Sequence, residues 1–142
     1  MKAFLDTSVL VAAFWGGHQH HRSSIKLLAG ANRKQWACSL HTLAEIYAAM
    51  TALPVKPMIP QEQVLLLVKE VQERLTPIAL SETEYLATIR KCGEAGFTSG
   101  RVYDALLLLA SAVKAKAETI YTLNLGHFQA IAPELADRMR IP

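Results

Sequence analysis

Residues 2–14 read KAFLDTSVLVAAF. A short apolar run, Ala3–Leu5, stops at Asp6, two hydroxyl residues follow, and a second apolar run begins at Val9. With a buried strand before Asp6 and a helix after it, the carboxylate falls at the strand's carboxyl end, where open α/β sheets hold their ligands. The same stretch also suits a helix start, because Asp6, Thr7 or Ser8 can satisfy the free N–H groups there. The choice between a cap and a functional acid turns on whether other carboxylates occupy equivalent places along the chain.

Working outward, short apolar segments alternate with longer helical ones, the pattern of a parallel sheet with helices on both faces. Strands are expected at Ala3–Leu5, 36–38, 77–80, Thr119–Tyr121 and 138–141. Helices are expected at 8–14, 22–31, 40–53, 61–75, 82–95, 102–116 and Leu125–Ile131. Local chemistry supports several boundaries. Gly16 and Gly17 end the first helix, Pro54 and Pro57 mark a turn, and Pro60 opens a helix where a missing N–H is harmless. Ser81, followed by Glu82 and Glu84, has the form of an N-cap with an acidic first turn. No repeat or linker interrupts the 142 residues, so a single domain over 1–142 is expected.

Composition narrows the function classes. The chain is 51% hydrophobic and 19% charged, an ordinary globular balance that excludes disordered and fibrous classes. A formal charge of +3 permits a polyanionic partner without a concentrated basic run to demand one. Cys38 and Cys92 stand far apart with no paired spacing, which argues against a disulfide framework or a zinc site and for a reducing, cytoplasmic setting. Asp6 cuts the first apolar stretch short of a signal peptide core, and the longest run, from Ala105 to Ala110, is too short to span a bilayer. A soluble protein is expected.

Three further residues bear on Asp6. In SLHTLAEIYAAM (39–50), Glu45 is the one carboxylate in an otherwise small and apolar helix. Thr42 and Glu45 match a capping box, but Ser39 is the more natural cap, which leaves Glu45 inside the helix. In GRVYDALLLLASAVKA (100–115), Asp104 precedes four leucines and shares a face with Leu107 and Leu108, so it sits near a helix start or pairs with something positive. Asn124, in YTLNLGHFQAI (121–131), follows the fourth strand and suits the N-cap of a short helix, while still able to offer oxygen to a water or substrate. A parallel sheet can gather Asp6, Glu45, Asp104 and Asn124 at one edge. Carboxylates held close repel unless protonated or neutralised by a cation, and oxygen-rich sites suit magnesium or manganese.

The ordered motifs FLDTSVLVA, SxxTLAEI, GxxYDALLLLA and YTLNxxHF resemble the PIN domain, and within it the VapC-type toxins of toxin–antitoxin pairs. The likeness spans nearly the whole chain, and GGHQHHRSSIKLL (16–28) resembles the loop and second helix of those toxins. It implies a three-layer α/β/α sandwich with a central parallel sheet, and a Mg²⁺-dependent endoribonuclease in which Mn²⁺ can substitute. Asp6, Glu45 and Asp104 become the catalytic acids, with Asp6 and Asp104 as the metal ligands. Glu45 completes the shell through a water or helps to deprotonate the attacking water, and Thr7 or Ser8 hydrogen-bonds beside Asp6. An RNA substrate, a VapB-type antitoxin and homodimerisation are further implications, as are products with 5′-phosphate and 3′-hydroxyl ends.

One departure bears on the metal count. Asn124 stands where a fourth acid is common in the resembled family, with His127 after it, so one firmly bound metal is expected and any second arrives with substrate. Arg101, one turn before Asp104, is the first candidate for a phosphate contact. Arg22, Arg33, Lys34, Arg90 and Lys91 read as solvated surface. Two other functions compete. An aspartyl-phosphate phosphatase carries a second acid two residues after the first, and Ser8 stands there instead. A PIN-fold RNA-binding or interaction module without cleavage draws some support from the missing fourth acid, against the retained Asp6, Glu45 and Asp104.

Overall fold

The computed structural model describes residues 1–142. Five parallel strands form one sheet in the order β3-β2-β1-β4-β5: β1 Ala3–Leu5, β2 Trp36–Ser39, β3 Thr76–Ile78, β4 Thr119–Tyr121 and β5 Met139–Arg140. The chain builds outward from β1 on one side, then returns to add β4 and β5 on the other. β1 is therefore central, and the reversal of strand order lies between β1 and β4, where doubly wound sheets open a crevice at their carboxyl ends. Asp6 leaves β1 at that point, and its N–H continues the ladder to the Tyr121 carbonyl at 3.0 Å.

The helices are α1 Thr7–Phe14, α2 His21–Ala29, α3 Leu40–Thr51, α4 Gln61–Arg74, α5 Glu82–Glu94, α6 Leu108–Lys114 and α7 Leu125–Ile131. Strand alternation divides the core in two. Phe4, Ala37 and Ile120 face Cys92, Leu106, Leu109 and Phe128, whereas Ala3, Leu5, Trp36 and Cys38 face Leu10, Ile46, Met50, Val64 and Val71. Successive residues of β1 and β2 are buried on both faces, which explains their uninterrupted apolar reading. The result is the expected three layers, helices on either side of a parallel sheet.

Local sequence accounts for most ends. The Ser39 hydroxyl accepts from His41 N–H at 3.1 Å and starts α3, which leaves Glu45 inside the helix. Ser81 and Glu84 form a reciprocal capping box on α5. Gly96 closes α5 with φ of 75°, and the N–H of Phe97 returns to the Cys92 carbonyl at 3.0 Å in a Schellman arrangement.

Three expectations are corrected. The third strand lies at Thr76–Ile78 rather than 77–80, because it pairs in register with Ala37, Cys38 and Ser39, and it tolerates Pro77 because β3 is an edge strand. The helix expected over 102–116 opens as a π-helical turn, Val102–Leu107, before α6, and Asp104 lies in that turn. Residues 133–138, Pro133–Arg138, form a 3₁₀ helix, and the last strand shortens to Met139–Arg140.

Candidate active site

At the carboxyl edge of β1 and β4 a cavity of about 430 Å³ is lined by Asp6, Thr7, Ser8, Glu45, Asp104, Leu108, Asn124 and His127. Leu108 is its one apolar lining residue. The three acids arrive from separate elements. Asp6 follows β1, Glu45 lies on the second turn of α3, and Asp104 stands in the π-helical turn. Asn124 and His127 come from the start of α7.

Asp6 is 2% exposed and is held from two sides. Ser8 Oγ donates to its Oδ2 at 2.7 Å, and Thr122 Oγ1 donates to the same oxygen at 3.0 Å. Each hydroxyl is itself positioned by a backbone N–H: Leu123 donates to Ser8 Oγ and Asn124 to Thr122 Oγ1, both at 3.0 Å. The first carboxylate is thereby tied to the exit of β4, across the strand-order reversal. Burial still pushes the Asp6 carboxyl above its ordinary value, opposed by the Ser8 and Thr122 hydrogen bonds.

The capping expected of Thr7 or Ser8 is corrected here. Asp6 occupies the N-cap position of α1 without closing a capping hydrogen bond, Ser8 turns to Asp6, and Thr7 turns to the second acid. Thr7 Oγ1 lies 2.9 Å from Glu45 Oε1 and 3.1 Å from Thr42 Oγ1. Burial first, then the neighbouring Asp104 and Asp6 carboxylates, raise the Glu45 carboxyl from 4.5 to about 7, against the pull of Thr7. His41, one turn earlier on α3, brings Nε2 to 3.9 Å from the same Oε1. Asp104 is exposed, as is its neighbour Tyr103.

Asn124 takes the expected N-cap position of α7, but its side chain makes no capping hydrogen bond and lines the cavity instead. Arg101 does not line it; its guanidinium lies over the Phe97 ring, 5.6 Å from the centroid. The weaker basic candidates are exposed, with Arg33 donating to the Gln72 carbonyl and Lys91 3.7 Å from Glu134. Sequence reasoning missed Thr122 as a partner of Asp6. Its signal was faint: a hydroxyl directly after a strand, two residues before Asn124.

The donor set fits a small hard cation. Oxygen donors predominate, and three acids face one polar space in which Glu45 is destabilised as an anion by its neighbours. The side chains do not form a closed cage of three or more ligand groups. A magnesium-type ion does not require one, since it keeps several waters and takes one or two carboxylates.

A family model described as PIN domain matches residues 3–132. No curated protein matches the sequence. Among solved structures, the fold is similar to the sarcin–ricin-loop-cleaving toxin VapC20 of Mycobacterium tuberculosis, with a TM-score of 0.72, 15% identity, and coverage of 91% of this chain and 94% of that one. VapBC2 from Rickettsia felis, bound to a DNA fragment from its promoter, gives a TM-score of 0.62 and 23% identity over 92% of each chain. VapBC-1 from nontypeable Haemophilus influenzae gives 0.63 and 18% identity over 99% of this chain and 98% of that one. At these identities the likeness is one of fold. No helix is long and apolar enough to cross a membrane.

Proposed function

The chain belongs to the PIN domain family, and from that membership we propose that it is a magnesium-dependent endoribonuclease, the toxin of a VapBC-like toxin–antitoxin pair. The observation that carries the proposal is the convergence of Asp6, Glu45 and Asp104, from three separate elements, on one polar cavity. A purely structural arrangement of three acids would have to tolerate their mutual repulsion without return. A nuclease site uses it to hold a cation.

Asp6 and Asp104 would hold magnesium, or manganese in its place. When bound, such an ion lowers the pKa of a coordinated water and polarises phosphoryl oxygens. Ser8 and Thr122 fix the Asp6 carboxylate so that it need not reorganise as charge develops. Glu45, oriented by Thr7, takes the proton of the attacking water, and a carboxyl raised to about 7 is well matched to that task near neutral pH. Asn124 presents an amide to the substrate side. Arg101 reaches a more distant phosphate only by leaving its place over Phe97.

A VapB-type antitoxin is the proposed regulator, and homodimerisation the proposed assembly. The structural relatives VapBC2 and VapBC-1 bear the names of toxin–antitoxin pairs. The test is to sequence RNA ends after induced expression of the wild type and of Asp6→Asn. New 5′-phosphate ends are expected with the wild type and none with Asp6→Asn, while circular dichroism shows the variant folded. Equal cleavage by Asp6→Asn would falsify the assignment.

A further inference from the structure

Phosphodiester hydrolysis leaves a negative charge on the departing sugar oxygen, and the groups that line the cavity differ sharply in their ability to quench it. Asp6, Glu45 and Asp104 are acids gathered to hold a cation and to accept a proton, and Asn124, Thr7 and Ser8 do not release protons near neutrality. Thr7 and Ser8 are, besides, already engaged with Glu45 and Asp6. His127 is the one imidazole in the lining, and imidazole is the side chain most often used for proton transfer to a reacting group. It stands in the first turn of α7, exposed to solvent, with its ring tilted against Phe128 at 6.2 Å between centroids, and no side chain holds its ring nitrogens. It shares the cavity lining with Asp6, Glu45 and Asp104. The elements packed on α7 are the π-helical turn, the Pro133–Arg138 segment and β5. Of their charged residues only Asp104 lines the cavity; Arg101, at the head of the turn, and Glu134, Asp137, Arg138 and Arg140 do not.

We infer that His127 is a catalytic residue of the proposed nuclease, the general acid that protonates the leaving 3′-oxygen. The inference rests on the nuclease reading above. Water oxygen bonds to phosphorus as the bond from phosphorus to the 3′-oxygen breaks. The attacking water gives one proton to Glu45, and the imidazolium of His127 gives one to the departing oxygen, yielding a 5′-phosphate and a 3′-hydroxyl. Acid from α7 and base from α3 come from separate elements that both line the cavity.

The experiment uses a short RNA spanning a cleavage site mapped with the wild type, made with oxygen or with sulfur as the 3′-bridging atom at that one linkage, and assayed in magnesium and in manganese. A thiolate departs without a proton. His127→Gln is expected to cut the oxygen RNA at least about 100-fold more slowly, the lower end of what general acids contribute. On the sulfur RNA it should come within a few-fold of the wild type. Equal slowing on both RNAs, or none on either, overturns the inference and leaves the nuclease reading standing, and so does sulfur rescue of Glu45→Gln in place of His127→Gln. A wild type that cleaves no RNA overturns both.

Discussion

Glu45 holds its charge against both burial and its neighbours. Its carboxyl stands at about 7 in the fold against an ordinary 4.5, because burial and two neighbouring acids oppose its charge. The folded chain therefore binds more protons than the unfolded chain between those values, and stability must fall as pH rises through that window. In metal-free protein the urea midpoint should decline from pH 4.5 to about 7 and then level off. Asp6, also raised by burial, adds in the same direction, so Glu45→Gln should reduce the slope without removing it, and magnesium should flatten it in the wild type. A slope that Glu45→Gln leaves unchanged would show that the repulsion has no energetic weight. The residue scale is also where sequence reading reached its limit. Ser8 and Thr7 were legible as polar partners beside Asp6, but their division of labour, one to each acid, depends on the approach of α3 to α1. Thr122 lies 116 positions from Asp6, and nothing local to either residue announces the pair.

At the scale of elements, helices with a chemical start signal were the most legible. Ser39 and Ser81 cap where their side chains predict, since a cap is a contact within one turn. The π-helical turn that carries Asp104 was not legible, because a run of four leucines has no polar residue to mark a change of register. Such turns recur at functional sites, and here the turn leaves Asp104 exposed while Ala105 to Leu109 are buried. Helix α4 raises a different matter. Val64 and Val71 are fully buried, yet Leu65 and Leu66 are 57% and 65% exposed, and Tyr47 of α3 is 38% exposed. These outward apolar side chains are the proposed homodimer contact. Because both leucines are exposed, the double variant Leu65→Glu, Leu66→Glu should fold and halve the solution mass measured by light scattering. A double variant that stays dimeric places the contact elsewhere.

At the scale of the whole molecule, the order of strands decides how much negative charge is concentrated. Reversal at β1 and β4 brings Asp6 beside the start of α7, where Asn124 contributes an amide in place of a fourth charge. With three acids, two of them pushed towards their protonated forms, one magnesium per chain is the expected stoichiometry. Calorimetry of the wild type should give a single tight site, and Asp6→Asn should abolish it. Because a ligand that binds only the folded state stabilises it, magnesium at about a hundred times its Kd should add about 2.7 kcal/mol. Two equivalent tight sites would overturn this count.

The alternation of apolar segments, the strand-end position of Asp6 and the spacing of the acids along the chain were determined by sequence alone, because periodicity and capping are contacts between near neighbours. What only the tertiary structure decided was the pairing of distant residues: β3 shifted into register with β2, Thr122 locked onto Asp6, and His127 sharing one cavity lining with the acids. These depend on which surfaces the sheet order brings together, and a local pattern carries no record of that order.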